Sequence, residues 1–217
     1  MRIAICCDFD GTITLIDTGK ALLTKLSEKD WQYYDELVIK GEIGTREALV
    51  HQWGTIDYTT NEEIMEIVDK IEVDPTFKEF HEWVRKNDLK FIVVSDGFVS
   101  YIKRILENHN FHSEIEIRAN DMELLENKIQ LNFLTPNCEH DCANCKYEHV
   151  KNLKDEGFKI IYIGDGLSDI FPAQNLADII FAKKNEDLAK ALEDDSRLNI
   201  FSNFSEIISK IEAFEII

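Results

Sequence analysis

Residues 2–12, RIAICCDFDGT, contain the pattern that decides the fold. A short run of mostly apolar residues leads directly into Asp8, Asp10 and Gly11. Such a run is typical of a strand that is covered on both faces, as in a parallel sheet. In open α/β sheets, functional groups gather at the carboxyl ends of the strands. Two carboxylates at this position can act as nucleophile and proton donor or bind a divalent cation, and an ordinary acidic turn is the alternative.

Three further apolar runs predict strands of the same kind, at residues 90–94, 159–163 and 178–181. Longer amphipathic stretches alternate with these runs. They predict helices at residues 75–86, 98–108, 147–156, 167–175, 186–193 and 205–214. Strands that alternate with helices are typical of an open sheet built from βαβ units. We therefore predict an α/β fold with a mostly parallel sheet.

The alternation is interrupted between residues 16 and 74. This segment predicts no strand, and its helices are predicted at residues 18–26, 29–40, 45–53 and 61–70. Because it follows the first strand directly, we predict a helical cap domain, residues 16–74, over the carboxyl edge of the sheet. The core domain would then comprise residues 1–15 and 75–217. Residues 114–134 predict short β structure, and residues 135–145 predict a polar loop that contains cysteines.

A second acidic motif, GDGLSD at residues 164–169, follows the predicted strand 159–163. It brings Asp165 and Asp169 to the same edge of the sheet as Asp8 and Asp10. Carboxylates that face one another in a buried site repel, and a cation relieves the repulsion. Mg²⁺ is a hard ion that prefers oxygen ligands. The four acids therefore predict a magnesium site.

Two polar residues, Ser95 and Lys146, extend the predicted chemistry at this edge. Ser95 follows the predicted strand 90–94 and precedes Gly97. Its hydroxyl, together with N–H groups of the turn and the following helix, suits an anion such as phosphate, and an ordinary helix N-cap is the alternative. Lys146 begins a predicted helix. An ammonium near the carboxylates would neutralise a phosphate and orient the nucleophile.

The net charge limits the partners that the chain is expected to bind. The 217 residues include 24 basic and 42 acidic side chains, which gives a formal net charge of −18. Nucleic acids and anionic membranes both attract basic surfaces, so neither is expected as a partner. The sequence has no apolar run long enough for a membrane span and no signal-peptide layout. We therefore expect a cytoplasmic protein, and its oligomeric state stays open.

In order and spacing, DFDGT at 8–12, Ser95, Lys146 and GDGLSD at 164–169 resemble the four motifs of the haloacid dehalogenase superfamily of phosphohydrolases. The resemblance implies a Rossmann-like core with a cap and Mg²⁺-dependent phosphoryl transfer from a small phosphate ester in two steps. It also implies the roles of the residues. Asp8 would attack phosphorus, and Asp10 would protonate the leaving oxygen and then deprotonate water. The resemblance implies that the carboxylates of Asp8 and Asp165 and the backbone carbonyl of Asp10 bind the metal, with Asp169 in support. It implies that the phosphoryl group is bound by Ser95, Lys146 and N–H groups near Gly97.

Within the superfamily, the chain is most similar to the phosphoserine-phosphatase-like branch, and particularly to the methionine-salvage phosphatases that act on 2-hydroxy-3-keto-5-methylthiopentenyl-1-phosphate. The similarity rests on CDFDGTIT at 7–14 and on the cysteine-rich segment that ends at Lys146. Phosphoethanolamine/phosphocholine phosphatases, which share such a segment, and phosphoserine phosphatases are the alternatives. A phosphotransferase or phosphomutase, or an interaction module with a zinc loop on an inactive core, would be a different class of function.

The resemblance also implies that the cap selects the substrate. True phosphoserine phosphatases grip the amino-acid head with a glutamate and an arginine of the cap. The corresponding residues here are Asp17 and Gln52. Lys20, Trp31 and Trp53 are the other candidate specificity residues, although both tryptophans also fit an apolar cap core.

Three of the five cysteines lie in CEHDCANC at residues 138–145. Cys138, His140, Cys142 and Cys145 offer three thiols and one imidazole, which is enough for a tetrahedral structural Zn²⁺ site. Reduced thiols that stiffen the loop beside Lys146, or a redox pair formed by Cys142 and Cys145, are the alternatives.

Overall fold

The computed structural model of the protein describes residues 2–111 and 115–214. Residue 114, the first of the predicted β segment, therefore lies outside the described residues. The strands are β1 Ile3–Cys7, β2 Lys90–Phe98, β3 Glu116–Leu125, β4 Lys128–Asn132, β5 Lys159–Gly164, β6 Ile179–Lys183 and β7 Leu198–Phe201. Within the described residues they form one sheet in the order β4-β3-β2-β1-β5-β6-β7.

The sheet is parallel except for the antiparallel pair of β3 and β4. Its central strand β1 lies between β2 and β5. Side chains of β1 alternate between two apolar cores: Ile3 and Ile5 belong to one core, and Ala4 and Cys6 to the other. Burial of both faces explains why the sequence of β1 is continuously apolar. The predicted α/β fold with a mostly parallel sheet is confirmed.

Helices lie on both faces of the sheet. Their bounds are α1 Thr18–Leu26, α2 Gln32–Ile39, α3 Thr45–Trp53, α4 Asn61–Val68, α5 Phe77–Lys86, α6 Val99–Asn108, α7 Lys146–Asp155, α8 Leu167–Leu176, α9 Asp187–Ala191 and α10 Phe204–Ala213. Helices α5, α6 and α10 contribute to the core that contains Ile5, whereas α7, α8 and α9 contribute to the core that contains Ala4. In the described part of the chain, no helix has both the length and the apolar character that crossing a membrane requires.

Helices α1 to α4 follow β1 and precede α5, as the sequence predicts. The base of this helical segment is closed by the N–H of Asp74, which donates to the carbonyl of Ile13 over 2.8 Å. Leu22 and Trp53 of these helices belong to the same apolar core as one face of β1. The helices therefore pack against the sheet, and the division into a core domain and a cap domain stays a prediction.

Two parts of the sheet differ from the sequence prediction. Strand β2 does not end at residue 94, because Phe98 pairs with Asn120 of β3 beyond an irregularity that follows Val94. Strand β7 was not predicted at all. Residues 115–134 contain β structure as predicted, arranged as the hairpin of β3 and β4. The turn residues Glu126 and Asn127 both have positive φ, 50° and 62°, as a tight hairpin turn requires.

Candidate active site

Strands β1, β2 and β5 deliver the predicted chemical groups to one edge of the sheet. Asp8 follows β1, and its N–H donates to the carbonyl of Ile163 on β5 over 2.9 Å. Ser95 lies near the end of β2, and Asp165 follows β5. Because the three strands are parallel neighbours, their carboxyl ends meet in space although they are far apart in sequence.

Lys146 connects the two acidic motifs. It is the first residue of α7, and its Nζ lies 2.9 Å from Asp8 Oδ1 and 2.7 Å from Asp169 Oδ1. All three side chains are buried. Burial alone would lower the pKa of Lys146, but the carboxylates of Asp169 and Asp8 raise it well above its usual value. The ammonium therefore stays charged beside the predicted nucleophile.

The buried carboxylate of Asp169 accepts hydrogen bonds from four donors. Its Oδ1 accepts from Lys146 and from the hydroxyl of Tyr162, each over 2.7 Å. Its Oδ2 accepts from the N–H groups of Asp165 and Gly166 over 3.1 and 3.0 Å. The sequence analysis did not identify Tyr162, because an apolar strand gives no sign of which residue turns its polar end towards the site. Asp169 thus holds Lys146 and the turn of the second acidic motif together.

Asp10 is surrounded by donors of its own. Its Oδ1 accepts from the N–H of Thr18 over 3.1 Å, and its Oδ2 accepts from the hydroxyl of Tyr101 over 2.9 Å and from Ser95 over 3.4 Å. The pKa of Asp10 is raised to about 6, because burial and the nearby charge of Asp17 raise it more than the hydrogen bonds from Thr18 and Tyr101 lower it. Thr18 and Tyr101 were not predicted, since both reach Asp10 only through the tertiary fold.

The carboxylates of Asp8, Asp165 and Asp169 form a group whose oxygens lie within 4.8 Å of one another. Burial, followed by the charge of Asp169, raises the pKa of Asp165 to about 7. The same two causes raise the pKa of Asp8, although Lys146 opposes them. Thr12 of the motif DFDGT, to which the sequence analysis assigned no role, donates its hydroxyl to Asp165. Buried carboxylates that repel one another are a donor set that suits a hard divalent cation.

The segment Ser95–Gly97 differs from its predicted form. It lies in strand β2 and not at a helix N-terminus, and the N–H of Gly97 donates to Ser95 Oγ over 2.9 Å. A Cβ atom at position 97 would lie 2.6 Å from Asp10 Oδ2, so the backbone approaches the site only because residue 97 is glycine. The carboxylate of Asp96 accepts from the N–H of Asn144 over 3.1 Å.

A cavity of about 350 Å³ extends from these groups to α1, α2 and α3. The predicted specificity residues Asp17, Lys20, Gln52 and Trp53 line it, whereas Trp31 is buried elsewhere in the core. Gln52 donates to Asp35 over 2.7 Å, and Lys20 Nζ lies 3.9 Å from the carboxylates of both Asp17 and Asp35. Asp35 was missed because only its contacts with Lys20 of α1 and Gln52 of α3 reveal its position.

The cysteine loop, residues 135–145, leads directly into Lys146. Cys138, Cys142 and Cys145 are free thiols whose sulfurs lie within 4.8 Å of one another. His140 does not join this group: its side chain is exposed, and its ring lies 6.0 Å from that of Phe171. The structure therefore brings together three of the four predicted zinc ligands.

Comparisons of the sequence with known proteins identify a family and several relatives. A family model described as haloacid dehalogenase-like hydrolase matches residues 5–171. Among curated proteins, a 2-hydroxy-3-keto-5-methylthiopentenyl-1-phosphate phosphatase of Bacillus pumilus is 30% identical over 183 residues, which cover 82% of this chain and 78% of that protein. Pdp3-interacting factor 1 of Schizosaccharomyces pombe is 28% identical over 215 residues, which cover 92% of this chain and 90% of that protein.

Solved structures show the same fold. A phosphoserine phosphatase in complex with its substrate superimposes with a TM-score of 0.74 at 16% identity, covering 97% of this chain and 98% of that one. A phospho-aspartyl intermediate analogue of phosphoserine phosphatase superimposes with a TM-score of 0.75, also at 16% identity and with the same coverage. At this identity the likeness concerns the fold alone.

Proposed function

Because the chain belongs to the haloacid dehalogenase-like hydrolases and is a phosphoric monoester hydrolase of the phosphoserine-phosphatase-like branch, we propose that it hydrolyses a small phosphate ester with Mg²⁺ through a phosphorylated Asp8. The observation that supports this proposal most strongly is the placement of Lys146 Nζ between Asp8 and Asp169, 2.9 and 2.7 Å from their oxygens. A buried ammonium in this position holds a carboxylate in place for attack and faces the negative charge of an incoming phosphate.

The site favours magnesium as the cofactor. Three carboxylates and one ammonium give a formal charge of −3 + 1 = −2 in a buried group. A divalent cation would balance this charge, and its ligands would be Asp8, Asp165 and the backbone carbonyl of Asp10, with Asp169 in support. When bound, Mg²⁺ would neutralise the charge of the phosphoryl oxygens and orient them.

The residues of the site suit a two-step transfer. A carboxylate oxygen of Asp8 bonds to phosphorus while the bond from phosphorus to the leaving oxygen breaks, and Asp10 gives its proton to that oxygen. In the second step a water molecule attacks the same phosphorus, Asp10 takes its proton, and the bond to Asp8 breaks. A carboxyl group with a pKa of about 6 suits both tasks near neutral pH. Ser95 and Lys146 would hold the phosphoryl oxygens throughout.

The cavity supports 2-hydroxy-3-keto-5-methylthiopentenyl-1-phosphate as the preferred substrate. Much of the wall contributed by the helices is apolar and would accept a methylthio tail; it includes Leu23, Val38, Ile39, Leu49 and Trp53. No arginine is among the described residues that line the cavity, so the carboxylate of phosphoserine would lack a bidentate partner.

A panel of phosphate esters tests this proposal. We expect Mg²⁺-dependent phosphate release, with kcat/KM for the methionine-salvage ester at least about tenfold above that for phosphoserine, phosphoethanolamine or phosphocholine. Asp8→Asn should abolish release, whereas the matched control Asp194→Asn, at an exposed position, should retain it. Faster turnover of another ester would overturn the substrate assignment. Transfer to an added alcohol without hydrolysis would indicate a phosphotransferase, and no turnover of any ester would contradict the phosphatase mechanism.

A further inference from the structure

The cysteine loop contains a group of side chains that the phosphatase chemistry does not use. The sulfurs of Cys138, Cys142 and Cys145 lie within 4.8 Å of one another, and none of the three is in a disulfide. Sulfurs that bind one Zn²⁺ ion at about 2.3 Å in tetrahedral geometry lie about 3.8 Å apart. A contraction of at most about 1 Å would therefore convert the observed arrangement into three ligands of a metal ion.

One of the three cysteines begins a helix. Cys145 is the N-cap residue of the ten-residue helix α7, where the helix dipole favours negative charge. Zinc binds the thiolate and not the thiol, so this position favours the form of the ligand that a metal requires.

The loop that carries these cysteines links the helical segment to the active site. Arg46 of α3 donates to the carbonyls of Thr135, Pro136 and Cys142 over 2.7, 2.5 and 2.9 Å. Thr45, also on α3, accepts from the N–H of Ala143 over 2.9 Å. A metal ion bound by the three cysteines would hold the cysteine loop in the conformation in which it contacts α3.

On the other side, the same segment leads directly into the catalytic groups. The side-chain amide of Asn144 donates to the carbonyl of Ser95 over 2.8 Å, and its N–H donates to Asp96. The residue after Cys145 is Lys146 itself. The position of the loop therefore affects both the phosphate-binding segment of β2 and the ammonium beside Asp8.

We propose that Cys138, Cys142 and Cys145 bind one Zn²⁺ ion, which fixes the cysteine loop between α3 and Lys146. The fourth ligand is a water molecule on the solvent side of the loop, where Cys138 and Cys142 are partly exposed. The ion is structural: it contacts neither the phosphate ester nor Asp8.

Cobalt substitution in the full-length chain tests this site independently of any phosphatase assay. Protein purified under reducing conditions is stripped of metal and titrated with Co²⁺. We expect an intense sulfur-to-cobalt charge-transfer band that saturates at one equivalent and is abolished by one equivalent of Zn²⁺. The acidic site contains only oxygen ligands and cannot give this band, so failure here is separate from failure of the magnesium chemistry.

Variants define the ligands. Cys138→Ser and Cys142→Ser should each weaken Zn²⁺ binding by more than about 100-fold, since loss of an outer-shell partner alone costs up to that much. His140→Ala is the matched control within the same loop and should retain the band at full intensity. Because Cys138 is partly exposed, Cys138→Ser is expected to keep its far-ultraviolet circular dichroism. The proposal would be overturned if reduced wild type gave no band or if His140→Ala lost the band. It would also be overturned if two of the cysteines remained in a disulfide under reducing conditions.

Discussion

Tyr101→Phe tests whether Asp10 owes its orientation to hydrogen bonds that only the tertiary structure reveals. The substitution removes one hydroxyl that donates to Asp10 Oδ2 over 2.9 Å and keeps the buried ring. A hydrogen bond to a charged group contributes about 1.5–3 kcal/mol. Since 1.36 kcal/mol corresponds to a factor of ten in rate, we expect kcat to fall about 10- to 150-fold with little change in KM.

The pH dependence of the Tyr101→Phe variant gives a second readout. The hydrogen bond from Tyr101 lowers the pKa of Asp10, so its loss should raise that pKa above the wild-type value of about 6. Asp10 must be ionised to accept a proton from water in the second step. The acidic limb of the pH profile for kcat should therefore shift to higher pH.

Phosphate release by wild type, Tyr101→Phe and the exposed control Tyr58→Phe measures both effects. Thermal unfolding followed by circular dichroism shows whether the variants remain folded. A folded Tyr101→Phe enzyme with wild-type kcat and an unshifted acidic limb would refute the assignment of Tyr101 as a positioning residue for Asp10.

Three further variants test other parts of the structure. Asp169→Asn should lower kcat about 10²- to 10³-fold in a phosphate-release assay, because the buried ammonium of Lys146 loses a charged partner that positions it; unchanged kcat would contradict this role. Arg46→Ala should destabilise the protein by about 2–4 kcal/mol in urea unfolding, since three carbonyls lose their donor, whereas Glu62→Ala, an exposed control, should have little effect. Asp69→Asn should lower the urea midpoint at pH 7 and have a smaller effect at pH 2. Arg104 lowers the pKa of Asp69 to about 2, so its stabilisation is present above the usual value of 3.8 and is lost as the pH falls through 2. An equal effect at both pH values would exclude this ion pair as the cause.

Local patterns were sufficient to predict the central strands and the groups that follow them. Strand β1 is apolar because both of its faces are buried, and Asp8 follows it directly. The same reasoning placed Asp165 after β5, and Lys146 was correctly predicted at a helix start. These features depend on residues close in sequence, so the sequence alone reveals them.

Features that depend on distant contacts could not be predicted in the same way. Strand β7 has only four residues, LNIF, and an apolar run this short and interrupted by Asn199 does not distinguish a strand from a loop. The extension of β2 to Phe98 requires a partner on β3 that lies more than twenty residues away, Asn120. The hydroxyls of Tyr101 and Tyr162 reach the acids from α6 and β5, where the apolar pattern suggests only core packing.

The cysteine loop shows both outcomes within one motif. The spacing of the three cysteines correctly suggested that they could meet, because they lie within eight residues of one another. The same spacing included His140, whose side chain is exposed and does not join the group of sulfurs. Closeness in sequence therefore does not show which side chains meet in space, because this depends on the three-dimensional path of the loop.

Covalent trapping of the phosphorylated enzyme tests the central claim most directly. The wild-type protein is mixed with Mg²⁺ and an excess of ester, quenched in acid within one turnover, reduced with borohydride and analysed by peptide mass spectrometry. Reduction of an aspartyl-phosphate converts the aspartate to homoserine, so the account predicts this conversion at Asp8 and nowhere else. Asp8→Asn should show no conversion. Rapid phosphate release by the wild type without any modification of Asp8 would contradict the account.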